Sequence, residues 1–203
     1  MPFDCDTRME QVLGSPPRID PLPDGEIAEA AMVAIDKIRT MHDIALDTPV
    51  PEFFATVGKH PELLAAFLEF GTRFLGDTAL PDRQRELAIL RTGWLCGAPF
   101  EWGEHVLIAR EDAAISAEEI EWIVMGSAAP GWDELDRAVL KACEELHAEA
   151  MILDATWEVL ARHLTDQQLI ELPVLAGQYH KVAFVQNSLR FRLRDGNPGL
   201  SAR

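Results

Sequence analysis

Apolar positions along the chain recur at spacings of three and four, the signature of helices that bury one face. From Glu26 onward Ile27, Ala31, Ala34, Ile35 and Ile38 follow this rhythm until Thr48-Pro49-Val50-Pro51 interrupts it. A short apolar turn at Phe53, Phe54 and Val57 comes next. His60-Pro61 then opens a stronger helix carrying Leu63, Leu64, Phe67, Leu68, Phe70 and Phe74, and Gly76 and Pro81 punctuate the gap after it. In the second half, Ser116 with Glu119 and Thr165 with Gln168 have the spacing of capping boxes, and Asp133 and Asp154 are suited to N-caps. Leu135, Val139, Ala142 and Leu146 share a face. A last helix is predicted from about Asp166 to Phe191, kinked at Pro173 because proline removes a backbone donor. Alternating strand patterns and hairpin signals do not occur. The expected fold is all-α: an extended Pro- and Asp-rich arm over residues 1–24 and a single helical domain over 25–203.

Charge narrows the function classes. The 203 residues include 18 Lys and Arg against 34 Asp and Glu, a formal net charge of −16. Phosphate recognition needs clustered cations, and no such cluster occurs, so nucleic acid and anionic membrane surfaces are poor partners. No stretch has the length of a transmembrane helix, and Met1 to Pro17 lacks the apolar core of a signal peptide. Cys5, Cys96 and Cys143 are odd in number and far apart, with no CxxC. Neither a disulfide framework nor a cysteine zinc site is indicated, and a reducing cytoplasm is the expected compartment. No metal and no cofactor is called for.

The chemistry concentrates between Arg85 and His105. Pro81 is placed to start a helix and Gly97 to stop it. Pro99 then suits the first position of a second helix, with Glu101 in its first turn. Glu101 and His105, four residues apart, share a face. A carboxylate beside an imidazole raises its pKa and fixes its tautomer, and such a pair moves protons near neutral pH. Glu86 reaches the pair if the two helices form a hairpin. The bland alternatives are an acidic helix N-terminus at Glu101, a surface pair at His105 and an exposed Glu86. A short internal similarity links residues 85–90 to residues 170–175, each followed by Gly and an aromatic residue, which raises the prospect of two related helical halves.

The segment RELAILRT…FEWGEH resembles the signature of the carboxymuconolactone decarboxylase family, whose members share the fold of alkyl hydroperoxidase D. HPELLAAFLEFG (60–71), LHAEAMILDATWEVL (146–160) and QLIELPVLAGQYHKVAFVQNSL (168–189) extend the resemblance to about three quarters of the chain, from Pro51 onward. It implies an all-helical homo-oligomer, a dimer, trimer or hexamer. The peroxidase branch of that family uses a glutamate, two cysteines and a histidine. By the resemblance the glutamate is Glu86 and the histidine His105, while the cysteine positions fall on Ala98 and Glu101. Alanine and glutamate supply no thiolate and no resolving thiol. The decarboxylase branch keeps Glu and His alone. The resemblance thus implies a lyase acting on a small unsaturated carboxylate or lactone, with His105, Glu101 and Glu86 catalytic. Arg91 and Arg85 are then the nearest cations for an anionic substrate, helix phase leaving their direction open; Trp94, Phe100 and Trp102 either wall an apolar pocket or are ordinary core aromatics, and Tyr179 either lines the site from the last helix or makes a packing or subunit contact. Glu171 and His180 share its GQYH neighbourhood.

Three other classes compete. A metal hydrolase would draw on Glu101, Glu104 and His105, but no HExxH occurs. A non-catalytic helical assembly protein would use the last helix, with Val182, Phe184, Val185 and Leu189, as a subunit surface. A degenerate peroxidase would rely on Cys96, which sits where the helix dipole disfavours a thiolate. His42, His60, His147 and His163 read as structural or exposed.

Overall fold

A computed structural model of the chain describes every residue except 1–2, 24, 42–44 and 75–77. Among the described residues there are helices and no strands. They are α1 (Cys5–Leu13), α2 (Glu29–Met41), α3 (Glu52–Val57), α4 (Pro61–Gly71), α5 (Asp82–Leu95), α6 (Pro99–Glu111), α7 (Ala117–Met125), α8 (Glu134–Glu149), α9 (Asp154–His163) and α10 (Asp166–Leu189). Short 3-10 turns follow α4 and close the chain at Gly199–Ser201. No helix among the described residues is long and apolar enough to cross a membrane.

Helix α5 organises the larger unit. Every residue from Gln84 to Trp94 is buried, as expected of a helix surrounded by others, and α5 packs against α6, α8 and α10. Several of its polar side chains enter this interior with partners built for them. Gln84 Nε2 donates to Asp136 Oδ1 at 2.9 Å, and Arg91 Nη1 donates to the Ile123 and Val124 carbonyls at 2.8 and 3.1 Å.

Both capping boxes form, at Ser116/Glu119 and Thr165/Gln168, and Asp133 accepts from the Asp136 amide. At α9 the cap is Leu153, and Asp154 is the first helical residue, where its charge meets the helix dipole. Helix α10 continues through Pro173 and stops at Leu189, two residues short of Phe191, because Arg190 turns left-handed at φ +60°. Gly76 and His42 lie outside the described residues.

Two sequence expectations need correction. Residues 1–24 are not uniformly extended: Cys5–Leu13 is helical, capped by Asp4, whose Oδ1 accepts from the Thr7 amide at 2.9 Å. This helix is mostly polar and buries only Val12. It is held instead by Arg8, which donates to the carbonyls of Gly97 (2.9 Å) and Cys96 (3.2 Å). Nor does 25–203 fall in one compact unit. The chain divides into a unit of residues 1–16 and 79–203 and a second unit of residues 17–78. The latter contains α2, α3 and α4, with Ala31, Ile35 and Leu64 at its core. The two similar strings, 85–90 and 170–175, both fall in the first unit, so the division does not follow them.

Those strings also serve different ends. Glu171 spends its carboxylate on the amides entering α5, accepting from Ala79 N at 2.8 Å and Leu80 N at 3.1 Å. Gln168 Nε2 donates to the Ala79 carbonyl. Glu171→Ala therefore strands two part-buried amides and is expected to cost about 1–3 kcal/mol. Urea denaturation measures it, and an unchanged midpoint would contradict the assignment.

Candidate acid–base site

The site is assembled by the α5–α6 hairpin. Gly97 adopts φ +52°, a conformation that L side chains rarely take. The Ala98 amide donates back to the Gly93 carbonyl at 3.0 Å, closing α5. A Cβ at Gly97 would lie 2.7 Å from Arg8 Nε, a second reason for glycine there. Pro99 then starts α6. The reversal lays α6 along α5 and brings Glu86 and His105 together across nineteen residues of sequence.

Three ionisable side chains form a buried row. His105 Nδ1 is 2.8 Å from Glu86 Oε2, and His105 Nε2 is 3.3 Å from Glu101 Oε1. Glu86 is only 1% exposed, which excludes the reading of an exposed helix residue. His105 and Glu101 are buried as well, so their pair is not a surface one. Arg85 Nε lies 3.3 Å from Glu86 Oε1, while Arg85 Nη1 pairs with Asp82 at 2.6 Å. Helix α10 closes the other side. Gln186 Nε2 donates to Glu101 Oε2 at 2.7 Å, and the Tyr179 ring meets His105 in a T-shaped contact at 5.1 Å.

Electrostatics follow from this packing. Burial alone would push the His105 imidazole towards neutrality. The Glu86 charge, and hydrogen bonds to Glu101 and Glu86, outweigh it and lift the pKa to about 10. His105 is thus an imidazolium at neutral pH, held between two carboxyl groups. Burial, with the Glu101 and Glu86 charges beside it, holds the Tyr179 phenol well above its usual range, so it stays neutral. The arrangement stores a proton in a dry place and leaves Nε2, through its longer contact, as the end from which it can be exchanged.

Residues 61–145 match the family model described as Carboxymuconolactone decarboxylase family. The match covers 85 of the 203 residues, and that part of the chain is similar to the family. No curated protein matches it. Among solved structures it is similar to an uncharacterized peroxidase-related protein from Silicibacter sp. TM1040, with TM-score 0.71 and 16% identity, covering 90% of this chain and 96% of that one. An uncharacterized peroxidase-related protein from Ralstonia eutropha JMP134, described as an alkylhydroperoxidase AhpD core, gives TM-score 0.70 and 17% identity over 87% and 93%. The debrominase Bmp8 gives 0.68 and 14% over 88% and 92%. At such identities the likeness is one of fold.

Several candidates that the resemblance to this decarboxylase family implied lie elsewhere. Arg91 is five residues beyond Glu86, well round the helix from it, and its guanidinium serves Glu144 and the end of α7. Trp94 and Trp102 are completely buried and pack on each other at 4.8 Å. Their other partners are terminal: Phe3 and the Arg203 guanidinium lie against Trp94, and Trp102 Nε1 donates to the Ala202 carbonyl. They are core residues that the chain ends cover. Phe100 is half-buried, and its carbonyl accepts from Asn197. Glu104 pairs with Arg194 and accepts from Asn197, which removes it from any metal set with Glu101 and His105. Of the GQYH string only Tyr179 reaches His105.

Gln186 is the site residue that sequence reasoning missed. Its signal was position: seven residues after Tyr179, two turns on, it shares Tyr179's face of α10.

The thiols are poorly placed for peroxide chemistry. Burial raises Cys96 to about 12, with Arg8 opposing only in part, and Cys143, fully buried, also stands near 12. Peroxide consumption assayed with a dithiol reductant is expected to stay at background. Consumption well above background that requires a cysteine would overturn this.

Proposed function

We propose that Glu86, His105 and Glu101 form the acid–base site of a decarboxylase-like lyase acting on a small unsaturated carboxylate or lactone. The buried carboxylate–imidazolium–carboxylate row is the observation that carries the reading. In the step envisaged, the bond from the substrate carbon to its carboxylate breaks, carbon dioxide leaves, and the electron pair passes into the conjugated system. His105 Nε2 then gives its proton to carbon and recovers one from solvent by way of Glu101.

The geometry favours this order of roles. Glu86, the more deeply buried carboxylate with the shorter bond, fixes the ring from behind. Glu101, steered by Gln186, makes the longer bond that a substrate displaces. Once Nε2 leaves Glu101, one of the groups that raise the His105 pKa is removed and the proton becomes easier to give. Arg85 and His105 supply the positive charge that an anionic substrate requires in an acidic protein. Self-association, as the family resemblance implies, belongs to the same reading, and large exposed apolar residues on α10 such as Ile170 and Phe184 are consistent with it.

The test is a panel of small unsaturated carboxylates and lactones incubated in deuterated water. Carbon dioxide release with one deuterium gained at carbon is the expected result. Failure of every member of the panel to lose carbon dioxide would contradict the reading.

A further inference from the structure

Away from the acid–base row, three residues distant in sequence converge at the end of α5. Cys96 terminates α5, His147 lies in the last turn of α8, and His180 lies on α10. The Cys96 sulfur and one nitrogen from each histidine all lie within 4.8 Å of one another. His147 Nδ1 is 2.9 Å from His180 Nε2. We infer that Cys96, His147 and His180 form a binding site for a zinc-class divalent cation.

Donor chemistry is the first support. One thiolate and two imidazoles are the ligand types that borderline divalent metals prefer to oxygen. Orientation is the second. His180 Nδ1 lies 2.9 Å from the Ala176 carbonyl one turn back in its own helix. An acceptor there keeps the proton on Nδ1 and leaves the Nε2 lone pair facing the cluster, the outer-sphere arrangement usual for ligating histidines. Access is the third. His147 is exposed and the other two are partly so, which gives a metal a route in.

The geometry agrees. Zinc-type bonds of about 2.0–2.3 Å place tetrahedral donors roughly 3.3–3.7 Å apart, a spacing the exposed His147 reaches by a small rotation. On coordination Cys96 gives its thiol proton to solvent. Three protein ligands leave a fourth position for water. The cation would clasp α5, α8 and α10 together, and α5 and α10 carry Glu86 and Tyr179. The sequence offered no ligand spacing because the three residues come from three separated helices.

The experiment titrates metal-stripped protein with Co²⁺, then with Zn²⁺, following absorption and melting temperature. The expected result is a thiolate-to-cobalt charge-transfer band that saturates at one equivalent, is displaced by Zn²⁺, and accompanies a rise in melting temperature. The band should vanish in Cys96→Ser and persist in Cys5→Ser. In His147→Asn, a surface change that leaves the core intact, affinity should fall about tenfold or more. No band, a band that survives Cys96→Ser, or unchanged affinity in His147→Asn would overturn the proposal. None of these readouts depends on turnover, and none of the three ligands belongs to the acid–base row, so this site and the proposed reaction fail or stand separately.

Discussion

His105→Gln is expected to lower turnover by about 10²–10⁴-fold, the usual contribution of a positioned general acid. Glutamine fills similar space and still donates a hydrogen bond towards Glu86, but it carries no exchangeable acidic proton. Near-UV circular dichroism should show the aromatic core intact, because Trp94 and Trp102 pack on each other and on the chain ends. Turnover on an accepted substrate within a few-fold of the parent would mean that His105 is a structural histidine.

Glu86→Gln should have the second-largest effect, on stability. The His105 pKa is about 10 in the folded protein against 6.5 for a free histidine. Folding therefore takes up a proton at pH values between these two. The stabilisation from this group is complete below about pH 6.5 and is lost as pH rises through about 10. Within that window the folding equilibrium should weaken by up to about tenfold per pH unit from this group alone. Removing the Glu86 charge takes away the largest influence that raises the pKa. Breaking a buried pair from one side costs roughly 3–5 kcal/mol when the remaining charge cannot escape. Here His105 can shed its proton, which places Glu86→Gln towards the lower end at neutral pH. Urea denaturation from pH 6 to 9 should show the variant less stable at pH 6 and converging on the parent as pH rises. Parallel curves would contradict the account.

Much of the fold was legible because helix signals are local. Pro81, Gly97 and Pro99 mark the α5–α6 hairpin, and Ser116, Asp133 and Thr165 cap the helices that follow. The pairing of Glu101 with His105 follows from helical spacing alone. Other features depend on the third dimension. Helix α1 is polar and is fixed by Arg8 reaching carbonyls almost ninety residues away, so no periodic stripe announces it. Arg91 looked like a substrate cation because cations are scarce in this segment, yet its phase on α5 turns it towards α7 and Glu144. Trp94 and Trp102 looked like pocket walls, but the chain termini cover them.

The central claim is that His105 holds a proton at neutral pH because two carboxyl groups flank it in a dry interior. An NMR titration of the His105 imidazole, assigned by comparison with His105→Gln, tests it most directly. The ring should be charged throughout pH 6–8, with a midpoint near 10. A midpoint near 6.5, the value of a free histidine, would contradict it.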